Sequence, residues 1–164
     1  MAKAKKLASK KVQARRKAGK HRVKARRAVS VATRAKRRPQ KFTASHHREE
    51  DFDAGLRDYS AYRDLGLAAA TAGMVQAHVI RMTKPFEEGE VSTPHYHDVE
   101  FQMVYVLKGW FSSEFEGQGV QTFRAGSCWI QPPRIKHTVR GYSDDCELLE
   151  IILPAEFDTV TLAK

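Results

Sequence analysis

Two histidines two positions apart, His95 and His97, carry the strongest chemical signal in the chain. On an extended strand residues i and i+2 face the same way, so both imidazoles converge on one point, and that point can hold a metal ion. A third imidazole has to come from elsewhere. His137 is the candidate, because it closes the stretch Gly-Ser-Cys-Trp-Ile-Gln-Pro-Pro-Arg-Ile-Lys-His, which reads as a strand, a Pro-Pro turn and a short return. Three neutral imidazoles suit Zn, Mn, Fe, Ni or Cu and leave coordination positions open for water or substrate. Residue type alone does not select among these metals. The adjacent pair His46-His47 would point to opposite sides of an extended chain and is expected to be solvated. His78, within Ala-His-Val-Ile, reads as a satisfied sheet residue rather than a ligand.

The elements that must position these residues are short and β-rich. From Val75 onward, strand-length runs at 75–82, 101–107, 110–115, 120–123, 127–131 and 148–153 alternate with Gly and Pro breaks, which predicts an all-β sandwich or barrel. In the run 101–107 both alternating sets are apolar: Val104 and Val106 follow Gln102 on one face, and Phe101, Met103, Tyr105 and Leu107 lie on the other. A strand that is apolar on both sides packs against something on both sides, which predicts a homodimer. Tyr59, Tyr62, Leu65 and Leu67 lie at roughly helical spacing before an Ala run closed by Gly73, so short helices are expected there as a cap on the barrel.

Charge divides the 164 residues into two objects. Residues 1–41 hold 18 Lys and Arg with no Asp, Glu or aromatic residue, whereas residues 42–164 hold 11 basic and 19 acidic residues, a net of −8 hidden under the chain's overall +10. The basic segment cannot bury enough apolar surface to offset its ordering entropy and is expected to be disordered when free. It reads as an arm for nucleic acid or another polyanion, as a solvated tail, or as an organelle transit peptide, with the density of Lys counting against the last. The expected organisation is a basic arm at 1–41, a linker with short helices at 42–74, a barrel at 75–157 and a tail at 158–164. The two cysteines, Cys128 and Cys146, are expected to be reduced thiols. No apolar run of transmembrane length and no secretory leader is present, so no membrane is implied and a cytoplasmic location is expected.

Taken together, the motifs resemble those of the cupin superfamily, in the form of a small single-domain cupin. The first cupin motif is matched by Gly89, His95, His97 and Gly109, with Gln102 standing where the pattern has Glu. The second is matched by Gly126, Pro132 and His137, with Arg134 in place of a Gly and Gly141 in place of an Asn. The resemblance spans roughly residues 75–157 and implies a jelly-roll barrel of the double-stranded β-helix type. It also implies a divalent transition metal held by His95, His97, His137 and Gln102. Glu100 competes with Gln102 for the fourth position or serves as an acceptor behind an imidazole N–H. Exchanging the usual carboxylate for an amide leaves the ion's charge uncompensated and favours an anionic ligand. Arg134 and Arg81 are candidates to hold such an anion at the barrel mouth. Two functions follow: a metal-dependent enzyme (isomerase, lyase or dioxygenase) on a small anionic metabolite, or a non-catalytic ligand sensor tethered to nucleic acid by the arm. The enzyme needs a titratable group within reach of substrate, and the sequence assigns none.

Overall fold

The computed structural model of the protein describes residues 38–55 and 57–163. The expected disorder and polyanion binding of the basic arm fall, up to residue 37, outside the described residues. The end of that segment lies on the domain: the Arg38 guanidinium donates to the Ala72 carbonyl and the Lys41 N–H to the Ala70 carbonyl at 2.8 Å.

The described chain is all-β, in two antiparallel sheets. Its strands are β1 (Asp53–Ala54), β2 (Ser60–Asp64), β3 (Gln76–Met82), β4 (His95–Asp98), β5 (Phe101–Lys108), β6 (Trp110–Phe115), β7 (Gly119–Arg124), β8 (Cys128–Ile130), β9 (His137–Tyr142), β10 (Glu147–Leu153) and β11 (Asp158–Thr161). One sheet runs β1-β2-β3-β10-β5-β8 and the other β11-β4-β9-β6-β7. Two single-turn helices, α1 (Leu67–Ala70) and α2 (Glu88–Val91), and a 3-10 turn at Glu49–Asp51 complete it. This is the all-β barrel that the strand spacing predicts, of the jelly-roll type that the resemblance implies. No helix among the described residues is long and apolar enough to cross a membrane.

Period-two patterning sets which side chains face the interior. On β5, Gln102, Val104 and Val106 are buried while Phe101, Met103 and Tyr105 are half-buried. Val104 and Val106 join Met82, Val91, Phe111, Tyr142, Cys146 and Leu148 in the core, where each full burial of such a side chain contributes about 1.5–3 kcal/mol. The second face of β5 continues into Leu107 and Ile130, which are 43% and 62% exposed. Between β5 and β6 the chain turns at Gly109, with φ +67°, where a Cβ would stand 2.0 Å from the Ser143 hydroxyl. No other residue type fits that corner.

Two local expectations differ from the structure. Residues 60–64, read at helical spacing, form strand β2 instead, because pairing with β3 satisfies their backbone and the alternation of Ser60 and Tyr62 fits a sheet as well as a helix. Within residues 59–73 helix is confined to α1. Residues 158–161, read as tail, pair with β4 as β11. Cys128 is exposed, whereas Cys146 is buried with its thiol pushed up to about 12 by burial; both are free thiols, as expected.

Candidate metal centre and its cavity

The five-stranded sheet brings the three predicted histidines together. His95 and His97 project from one face of β4, and His137 opens β9 directly across from His95. Their ring centroids are 4.2 Å (His95–His137), 5.1 Å (His95–His97) and 5.2 Å (His97–His137) apart, and one nitrogen from each lies within 4.8 Å of the other two.

Which nitrogen is free follows from the neighbours. His95 Nδ1 stands 2.8 Å from the Thr93 carbonyl and His137 Nδ1 3.0 Å from the Ile135 carbonyl. A carbonyl only accepts, so both Nδ1 atoms carry the proton and both Nε2 atoms keep a lone pair. His97 Nδ1 meets the Thr159 hydroxyl at 2.9 Å, a partner supplied by β11. Burial lowers the basicity of all three: His95 falls below its ordinary value, His97 to about 4 and His137 to about 3, the last helped by the neighbouring His95. Neutral imidazoles that each keep one lone pair are the donor set a divalent transition metal requires, and at His137 that lone pair accepts from the Gln131 amide until an ion takes it, so the residues fit the ion that the motifs imply.

The six-stranded sheet supplies the opposite wall. Glu150 on β10 pairs in register with His78 on β3 and Val104 on β5. The His78 Nε2–H donates to Glu150 Oε2 at 2.6 Å, and Gln102 donates its amide to Glu150 Oε1. Gln102 Oε1 accepts from Gln131 Nε2 at 3.0 Å, and Gln131 Oε1 accepts from the Trp129 indole at 3.3 Å. The ends of this chain fix both amide orientations, because an indole N–H only donates and a carboxylate only accepts. The chain reaches the histidines where Gln131 Nε2 lies 3.1 Å from His137 Nε2. Burial acts to raise the Glu150 carboxyl, but the His78 and Gln102 hydrogen bonds outweigh it and hold the group below the usual carboxylate range.

Both walls line one cavity of about 320 Å³, together with Arg57, Tyr62, Ile80, Phe111, Trp129 and Phe157. Its floor is the core, shared through Tyr59, Met82, Val104 and Leu148. Trp129 stacks on Phe123 at 4.1 Å and on Phe111 at 5.7 Å.

The remaining sequence candidates lie elsewhere. Glu100 is exposed, and the imidazole Nδ1 atoms have Thr93, Ile135 and Thr159 as partners, so it does not stand behind the centre. Arg134 is exposed and grips Asp98 with two hydrogen bonds of 2.8 and 2.9 Å. Arg81 is held between Glu147 and Glu49, each at 2.6 Å, over the ring of Phe52 at 3.9 Å. Neither lines the cavity. Gln102 does, 1% exposed, with one Oε1 lone pair still uncommitted. Sequence reasoning missed Glu150, Gln131 and Arg57. The signal for Glu150 was present, since a lone carboxylate alternates with Leu148 and Ile152 on the inward face of an otherwise apolar run.

Residues 85–152 match the cupin domain family. Solved structures of similar fold include KdgF from Halomonas sp., 20% identical over 65% of this chain and 89% of that one with a TM-score of 0.52. The polyketide cyclase RemF from Streptomyces resistomycificus is 17% identical over 75% and 87%, with a TM-score of 0.59. Salicylate 1,2-dioxygenase from Pseudoaminobacter salicylatoxidans, in complex with gentisate, is 10% identical over 68% of this chain and 31% of that one, with a TM-score of 0.53. No curated protein matches the chain. The matched segment, the two antiparallel sheets and the histidine cluster lead to one assignment: the chain contains a small cupin domain.

Proposed function

We propose that the protein is a metal-dependent cupin enzyme acting on a small anionic metabolite. The observation that carries this reading is the convergence of three neutral, hydrogen-bonded imidazoles at one end of a cavity that also holds a carboxylate. His95, His97 and His137 would hold the ion, with the free Oε1 lone pair of Gln102 as fourth donor. When bound there, a divalent transition metal supplies Lewis acidity toward a substrate oxygen. The protein's own groups do the rest. Thr93, Ile135 and Thr159 orient the rings, the apolar floor excludes water, and Glu150 with His78 forms the titratable pair that an acid–base step needs. With an amide instead of a carboxylate as fourth donor, the centre keeps a net positive charge and favours an anion. Gentisate, bound in the structural relative salicylate 1,2-dioxygenase, is such an anion. Isomerase, lyase and dioxygenase chemistry are all compatible with this donor set.

Elemental analysis tests the reading first. Purified wild type should carry close to one equivalent of transition metal, and a His95→Ala/His137→Ala double variant almost none. A wild type that stays metal-free after reconstitution sinks the proposal.

Charge segregation supports a second role, in which a cytoplasmic domain of net charge −8 is tethered to nucleic acid by its basic arm. Fluorescence anisotropy with duplex DNA should show affinity that falls steeply with salt and disappears when residues 1–37 are deleted. The half-buried outer face of β5, extended by Leu107 and Ile130, is the surface on which we place a homodimer. Light scattering should give twice the monomer mass, and Ile130→Asp should reduce it.

A further inference from the structure

Arg57, three residues before the start of β2, lines the cavity half-buried, and no carboxylate or carbonyl among the described residues pairs with its guanidinium. That sets it apart. Arg38, Arg48, Arg63, Arg81, Arg134 and Arg140 all have side-chain hydrogen-bond partners, and Arg124, the other arginine among the described residues without one, is exposed on β7. Arg57 shares the cavity lining with His95, His97 and His137. Among the described residues it is the one Lys or Arg of the cavity lining.

The shape of the remaining space restricts what the guanidinium can serve. The polar groups of the lining are concentrated in the histidine cluster, in the Gln131-Gln102-Glu150-His78 chain and in a few hydroxyls; Ile80, Met82, Val104, Phe111, Trp129 and Phe157 present carbon. A polyhydroxylated acid needs a donor or acceptor for most of its hydroxyls, and against these walls several would be desolvated without a partner. A ring or short alkyl body loses nothing there and gains from burial. The volume, about 320 Å³, is at the lower end of the ~300–1,000 Å³ range of small-molecule sites, which suits a single ring with a short side chain. The planar fork of a guanidinium matches a carboxylate, and the nearby Glu150 charge opposes a more highly charged phosphate.

We infer that the ligand of this cavity is an amphipathic monocarboxylate, with its carboxylate on Arg57 and an aromatic or alkyl body against the apolar wall. This rests on the anionic-metabolite reading above and narrows it by setting aside sugar acids.

Isothermal titration calorimetry on the full-length protein, both Zn²⁺-loaded and metal-stripped, tests this with three probes: 3-phenylpropanoate, 3-phenylpropan-1-ol and galacturonate. The phenylpropanoate should bind at least about tenfold more tightly than either of the others. Arg57→Gln should abolish its advantage over the alcohol, and Arg57→Lys should restore part of it, with thermal melts confirming that both variants are folded. Galacturonate binding as tightly as phenylpropanoate overturns the apolar body. Phenylpropanoate affinity unchanged in Arg57→Gln overturns the anchor, and no binding of phenylpropanoate to either form overturns both. Metal content measured on the same samples separates the two proposals. Arg57-dependent binding to a protein that retains no metal leaves this inference standing without the metal centre, and a metal-loaded protein that does not discriminate the probes does the reverse.

Discussion

The two walls of the cavity use histidine in opposite ways. On the five-stranded sheet His95, His97 and His137 face one another with no carboxylate in contact, and burial keeps them neutral with lone pairs toward a common point. On the six-stranded sheet His78 faces Glu150 at 2.6 Å, and its donor is spent on a carboxylate. The same side chain turns a lone pair to a shared point in one setting and donates to a carboxylate in the other. The partner decides, and strand register chooses the partner.

This contrast gives its largest effect in a pair of substitutions. His78→Ala should lower stability by about 2–4 kcal/mol, read as a drop in Tm, because it leaves a mostly buried carboxylate with only the Gln102 amide. The protein should still take up metal. Replacing both members, His78→Leu/Glu150→Leu, should be less damaging than His78→Ala alone, since no unpaired charge remains. His97→Ala should do the opposite: metal affinity should fall by about 100-fold or more, while the metal-free protein changes by under ~1 kcal/mol, the lost bond being the one to Thr159. If His78→Ala abolished metal uptake instead, the division of labour between the walls would be wrong.

Gln102 joins the walls, and its removal should have an intermediate effect. Gln102→Leu should weaken metal binding by about tenfold in a competition titration, because it deletes the proposed fourth donor and leaves Gln131 without its acceptor. Unchanged metal affinity would reduce Gln102 to a spacer between Gln131 and Glu150.

The smallest effect belongs to the outer surface. Arg81 and His47 hold the exposed Glu49 carboxyl down to about 2 from an ordinary 4.5. A carboxyl whose folded pKa is depressed contributes stability above its unfolded pKa and loses it as pH falls, here between about 4.5 and 2. NMR titration of Glu49 should give a midpoint near 2 that moves most of the way to 4.5 in Arg81→Met.

The barrel and the three imidazoles were legible because they rest on local regularities: two-residue strand period, Gly and Pro punctuation, and the His-x-His spacing. The opposite wall was not, because it exists only through register. Glu150 meets His78 across 72 positions of sequence and Gln102 across 48, and no local pattern encodes that alignment. The arginines show the same limit. Arg134 and Arg81 lie near the motifs in sequence but found acids outside the cavity, Asp98 for one and Glu49 with Glu147 for the other. Arg57 came from the linker, just before the stretch read as helical, and its place in the lining depends on β2 joining the sheet beside β3. At Arg134 the departure from the cupin pattern is visible in the backbone, where φ is +62°, the left-handed region the motif's glycine would occupy without strain.

Trp129 sits in the cavity wall with its indole bonded to Gln131, and the chain's other tryptophan, Trp110, is outside the lining. The indole is therefore an optical gauge of occupancy built into the site. A bound ion with a partly filled d shell should quench its emission, whereas one with a filled shell should leave it bright. Intrinsic fluorescence during reconstitution would then sort Fe, Mn, Ni and Cu(II) from Zn without labelling the protein, and a ligand stacking on the same wall would register in the same signal.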